Sequence, residues 1–262
     1  MMNYKMKHVP DRSEKPRKKG ITMVMDKGLS PRQADDLVQV AGHLIDFVKL
    51  GFGTSAISGK LEEKIAVYTN AGIDTYFGGT LFEAFLIRSG LDEYRKLMKK
   101  FKISTVEISD GSMDIDHDAK CDYIKTFARD FKVLSEVGSK RADVNIRPNE
   151  WVTQMVTELE AGAQYVIGEA RESGTIGIFN QSGSAKKNLI HKITGSMPKD
   201  KIIWEAPQKN QQVYFIKEFG FDVNLGNIAP DEVIALETLR LGLRGDTFFH
   251  FLPNEMKQFD QK

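Results

Sequence analysis

Cysteine is almost missing from this chain. Cys121 stands alone among 262 residues, which excludes an intrachain disulfide and a cysteine-rich zinc site. It falls in "AKCDYIKTFA", a helical pattern, where a small packed residue is expected. Histidine is scarce too. His8, His43, His117, His191 and His250 are the whole set, and none stands at the end of an apolar run. A zinc triad is therefore not expected, and Ser109, Ser135 and Ser173 have no histidine placed by pattern to activate them. Net charge is lacking, with 37 Lys+Arg against 36 Asp+Glu. The one basic block, "RSEKPRKKG", is too small for a nucleic-acid platform. No stretch approaches the roughly 18 apolar residues of a membrane span. The start carries no apolar segment of signal-peptide character. The expectation is a soluble, cytoplasmic protein with neither nucleic acid nor membrane as partner.

What the chain does have is enough apolar content for a substantial core, 41%, in a length that suits one large domain or two small ones. After a polar stretch, short apolar runs alternate with helical patterns. "GITMVMDKG" precedes "SPRQADDLVQVAGHL", in which Ser30 is a candidate helix cap and Pro31 suits the first helical position. "IDFVKLGFGTS" precedes "GKLEEKIAVYTNAG", and "IDTYFGGT" precedes the largely helical "LFEAFLIRSGLDEYRKLMKKF". The alternation continues to "FDVNLGNIAP" and "DEVIALETLRLGLRG". Eight runs begin near residues 21, 45, 73, 104, 131, 164, 201 and 222, most of them roughly thirty residues apart, the length of one strand–helix unit. Eight such units predict a single-domain α/β fold, the closed (β/α)8 TIM barrel. A doubly wound open sheet is the rival, but no run is followed by GxGxxG. The predicted layout is an irregular N-terminal arm over 1–19, the barrel over 20–250 and a tail over 251–262.

In such a barrel the C-terminal ends of the strands carry the chemistry. The first run ends at Asp26, the second carries Lys49, and the third ends in "YFGGT" with Gly78 and Gly79. Runs four to seven bring Glu107, Glu136, Glu169 and Glu205, with Arg171 and Glu172 just after Glu169. The eighth brings Asn224 and Asn227. Four neighbouring strands thus each deliver one glutamate near the same rim. Unpaired carboxylates crowded together are costly, so the pattern calls for cations. Lys49, Arg171, Lys140 or a metal would answer it. Carboxylates without histidines favour a hard, oxygen-seeking ion such as Mg²⁺. Small-residue stretches such as "GFGTS", "GGT", "SGTIG" and "GNIAP" are candidates for anion binding through backbone N–H groups. Lys49, Arg171 and Arg244 are the side chains best suited to pair with an anion.

These stretches resemble one family. "DFVKLGFGTS", "TYFGGTLFE", "VEISDG", "LSEVGSK", "EARESGTIGI", "IIWEAP", "VNLGNI" and "ALETLRLGLRGDTF" are similar to the phosphosulfolactate synthases, and together they cover nearly the whole chain. The resemblance implies a Mg²⁺-dependent (β/α)8 enzyme that adds sulfite to phosphoenolpyruvate, giving (2R)-O-phospho-3-sulfolactate on the way to coenzyme M in methanogens. Sulfite sulfur would attack carbon three. An enolate would develop on the carboxylate side, stabilised by the metal, and a proton would arrive at carbon two. For these roles Lys49 is the first choice as proton donor and Lys140 the second. Arg171 is the third catalytic candidate. Glu107, Glu136, Glu169 and Glu205 are the metal ligands expected. Substrate binding is expected from Lys49, Arg171, Arg244, Gly78, Gly79, Asn224 and Asn227. A homo-oligomer is also implied. Two departures stand out: "GFGTS" where bacterial relatives have "GWGTS", and Ile176 in "ESGTIGI" where they have glycine. The alternatives are another Mg²⁺-dependent lyase or aldolase, with Lys49 forming a Schiff base, and a non-catalytic barrel like a plant heat-stress protein that resembles the family.

Overall fold

A computed structural model describes residues 3–138 and 146–260. Eight strands alternate with helices: β1 (Thr22–Asp26), β2 (Phe47–Leu50), β3 (Asp74–Phe77), β4 (Thr105–Ile108), β5 (Lys132–Val137), β6 (Tyr165–Gly168), β7 (Ile202–Glu205) and β8 (Leu225–Ile228). The helices between and after them are α1 (Pro31–Ala41), α2 (Leu61–Asn70), α3 (Gly79–Leu86), α4 (Leu91–Lys100), α5 (His117–Phe127), α6 (Pro148–Glu160), α7 (Lys187–Ser196), α8 (Lys209–Phe219) and α9 (Val233–Arg240). All assigned strand pairs are parallel, in the order β3-β2-β1-β8-β7-β6-β5-β4. β3 and β4 lie against each other without an assigned ladder, so the barrel is nearly closed. This is the (β/α)8 architecture that the strand–helix alternation predicts.

Local chemistry explains the element ends. Ser30 Oγ accepts from Gln33 N, and Gln33 Oε1 accepts from Ser30 N, so a capping box opens α1 with Pro31 at its first position. The stretch after β3 is not one helix. Ser89 adopts φ 55° and Gly90 N–H returns to Phe85 O, which separates α3 from α4. β2 stops at Leu50, and Gly51–Ala56 curls into a 3₁₀ turn with Phe52 and Gly53 left-handed.

Alternation along the strands decides what enters the barrel. Val48 and Leu50 face the helices, while Phe47 and Lys49 face inward. The ring of Phe47 meets that of Tyr165 edge-on at 6.2 Å. Their strands, β2 and β6, are not neighbours, so the contact passes through the interior. Aromatic rings therefore pack inside the N-terminal half of the barrel, and Lys49 lies one inward position farther toward the C-terminal end. At the N-terminal rim the preceding arm docks through Arg12 on Glu237 at 2.9 Å and Arg17 on Asp46 at 3.1 Å. Among the described residues no helix is long and apolar enough to cross a membrane.

Candidate active site

A cavity of about 380 Å³ opens at the C-terminal end of the strands. Lys49 projects into it from β2, Glu136 from β5 and Glu205 from β7, each two residues beyond an inward apolar side chain. Glu169 follows directly after β6. Carboxylate oxygens of Glu136, Glu169 and Glu205 lie within 4.8 Å of one another, and all three residues are buried.

Lys49 stands at the centre of this charge. Its Nζ lies 2.8 Å from Glu107 Oε1, 2.8 Å from Glu136 Oε2 and 3.4 Å from Glu205 Oε1. Burial alone would weaken the ammonium, but the three carboxylates outweigh it and hold the Lys49 pKa well above the ordinary lysine value. Glu205 shows the cost of the crowding. Burial, with Glu136 and Glu107 near, pushes its pKa up to about 7 against the pull of Lys49. Glu107 is also raised, chiefly by burial.

Glu107 has a separate place. Its Oε1 accepts the Gly79 N–H at 2.6 Å, which ties β4 to the start of α3 across the seam without a ladder. It does not line the cavity, and it is not part of the three-carboxylate cluster. Gly78 and Gly79 make room for this arrangement. A Cβ on Gly78 would sit 3.2 Å from Lys49 Cε, and one on Gly79 would meet Ser109 Oγ at 2.2 Å. Gly78 lines the cavity and Gly79 does not. The N–H of Gly79 is therefore taken by Glu107, not offered to a ligand.

The segment after β6 is pinned from both sides. Ala170 N–H donates to Glu205 Oε2 at 3.0 Å, and Asn227 Nδ2 donates to Ala170 O at 3.2 Å. Asn227 does so from a left-handed conformation, φ 57°, which asparagine tolerates better than most residues. This clamp directs Glu169 inward and leaves Arg171 exposed in the cavity wall. Gly177 closes the turn behind it. It has φ 77°, and a Cβ there would lie 1.9 Å from Glu169 O. Ile176, the departure in "ESGTIGI", is half-buried and outside the cavity wall. The glycine that the turn requires is thus present at 177. Phe52, the other departure, is half-exposed at the rim with φ 55°.

Of the residues expected at the site, the cavity gathers Lys49, Gly78, Glu136, Glu169, Arg171, Glu205 and Asn227. Asn224 is elsewhere. It precedes β8, accepts from Ile21 N–H at 3.0 Å and donates to Asp200 O and Ile202 O. Three residues of strand, roughly 10 Å, put it at the opposite rim from Asn227. Arg244 follows α9, with its Nε 3.9 Å from Asp246, and does not line the cavity. Lys140 lies outside the described residues.

Other contributors were hidden in helices. Lys120 on α5 is buried, and its Nζ donates to the backbone oxygen of Glu136 at 2.7 Å while pairing with Asp110 and Glu158 at 3.0 Å each. It steadies β5 from the outside, where Ser135 Oγ also donates to Glu158 at 2.6 Å. Its position on one stripe with Ile124 and Phe127 was a usable signal. Thr80 and Ser112 also line the cavity, and no strand-end pattern singled them out.

The donor set suits a hard cation. All three clustered groups are carboxylates, the oxygen donors that Mg²⁺ prefers. No histidine or cysteine joins the cluster among the described residues, which disfavours zinc.

Comparisons with known proteins identify the family of the chain. Residues 10–246 match the (2R)-phospho-3-sulfolactate synthase family. The phosphosulfolactate synthase of Methanothermobacter thermautotrophicus is 45% identical over 244 residues, covering 91% of this chain and 95% of that protein. That of Methanocaldococcus jannaschii is 47% identical over 237 residues, covering 88% and 94%. Among solved structures, 3-hexulose-6-phosphate synthase from Salmonella typhimurium shares the fold, with a TM-score of 0.56 at 12% identity over 86% of this chain and all of that one (100%). With the match running through every strand of the barrel, the chain belongs to the phosphosulfolactate synthase family, enzymes that form a carbon–sulfur bond.

Proposed function

We propose that this chain adds sulfite to phosphoenolpyruvate, giving (2R)-O-phospho-3-sulfolactate, with Mg²⁺ held by Glu136, Glu169 and Glu205. The observation that carries this reading is the convergence of those three buried carboxylates beside Lys49, with Arg171 in the same cavity wall. The sulfur lone pair forms a bond to carbon three of phosphoenolpyruvate. The carbon–carbon π pair moves to carbon two and onto the substrate carboxylate, and a proton then arrives at carbon two. The phosphate ester stays intact throughout.

The residues divide this work by charge and position. Arg171, exposed and free to reach the mouth, neutralises the phosphate or the incoming sulfite. Lys49 holds its proton until a strongly basic carbanion forms beside it, which a raised lysine pKa still allows. The clamp on Ala170 keeps Glu169 and Arg171 in register, so little reorganisation accompanies the reaction. Bound Mg²⁺ would supply Lewis-acid charge where the substrate carboxylate gains electron density.

The same contacts weigh against a Schiff-base aldolase. That chemistry needs a neutral lysine, and three carboxylates keep Lys49 charged. The test is direct: purified protein, Mg²⁺, phosphoenolpyruvate and sulfite are combined and phosphosulfolactate is sought by mass. Absence of product both with and without metal overturns the proposal.

A further inference from the structure

The charge that a divalent ion would bring to this site is already partly supplied from within. Lys49 Nζ contacts two of the three clustered carboxylates, Glu136 at 2.8 Å and Glu205 at 3.4 Å. It also contacts Glu107 at 2.8 Å, and Glu107 lies outside the cluster. One ammonium thus bridges two sets of carboxylates. Resting on the Mg²⁺ reading above, we infer that Lys49 competes with the metal for Glu136 and Glu205. On metal binding it hands those two over and stays tethered to Glu107.

The physical case rests on spacing. A cation within 3.4 Å of two prospective ligands repels a divalent ion entering the same cluster, and burial leaves little water to screen the repulsion. Full expulsion of Lys49 would strand a buried ammonium. Glu107 prevents that, because its Oε1 is fixed by the Gly79 N–H at 2.6 Å and cannot follow the metal. Room for the shift is limited on the other side, where Gly78 lies close to the Lys49 stem. The movement available is a short swing of Nζ about Glu107. The arrangement keeps the carboxylates from collapsing or repelling when metal is absent.

The competition has a readout independent of turnover. Mg²⁺ alone is titrated calorimetrically into the wild type, Lys49→Met and Lys49→Arg, with thermal melting followed over the same concentrations. Lys49→Met is expected to bind Mg²⁺ about tenfold more tightly or better, since a repelling charge is gone. Its melting temperature should rise more with Mg²⁺ than that of the wild type. Folding of Lys49→Met only when Mg²⁺ is present would be the same result in its limit. Lys49→Arg keeps the charge and should stay within about threefold of the wild type. Equal or weaker binding by Lys49→Met, or failure to fold in saturating Mg²⁺, overturns the inference while leaving the wild-type metal site standing. If the wild type binds no Mg²⁺ and turns over in chelator, the metal reading fails, and this inference with it.

Discussion

Lys49 and Glu136 meet across the barrel axis, Nζ to Oε2 at 2.8 Å, although their strands share no ladder. The contact exists only because the barrel closes. Under the proposed mechanism this ammonium is the proton donor, which gives the most direct prediction. Lys49→Met should lower kcat by about a thousandfold or more, the loss of a proton donor and of local charge together. Without metal it should also cost about 3–5 kcal/mol of stability, because three buried carboxylates lose a shared ionic partner. Steady-state kinetics and urea melts would check both. Borohydride added with substrate should trap no adduct on the wild-type enzyme.

Glu169→Gln keeps the shape of the side chain and removes its charge. The Mg²⁺ concentration for half-maximal activity should rise about tenfold or more, as expected for the loss of one anionic ligand. Activity measured against Mg²⁺ concentration decides it. An unchanged half-saturation would remove Glu169 from the ligand set.

The turn behind Glu169 offers a paired comparison. Gly177→Ala drives a methyl group to within 1.9 Å of Glu169 O at φ 77°. It should cost about 1–3 kcal/mol or more and lower turnover by shifting the carboxylate. Ile176→Gly changes a side chain outside the cavity. Its turnover per folded molecule should stay within about twofold, under about 0.5 kcal/mol of barrier. Chemical denaturation and specific activity together distinguish the two.

Arg171 and Asn224 should separate binding from stability. Arg171→Ala removes an exposed cation from the cavity wall. KM for phosphoenolpyruvate should rise about tenfold or more, with the melting temperature nearly unchanged. Asn224→Ala leaves Ile21 N–H without its acceptor at 3.0 Å. It should cost about 1–3 kcal/mol of stability and leave KM unaltered.

Much of this protein is set by its linear pattern. Eight short apolar runs spaced by helices dictate a (β/α)8 barrel, because each strand and each helix must bury one face against the other kind. The run ends also place Lys49, Glu136, Glu169 and Glu205 near one rim, since strand direction is the same throughout a parallel barrel. Side-chain alternation within a run is readable too, but the residue at which a strand stops is not. Asn224 and Asn227 looked equivalent in "VNLGNI". The ladder begins at Leu225 and sends them to opposite rims.

Tertiary structure alone decided how the charges divide. Glu107 belongs with Lys49 and Gly79 because β3 and β4 meet at a seam that backbone hydrogen bonds do not close. Lys120 reached the back of Glu136 from a helix whose lysines otherwise suggest solvent. Such pairings join residues far apart in the chain across a closed interior. They depend on which side chains fill that interior together, a property that no local stretch contains.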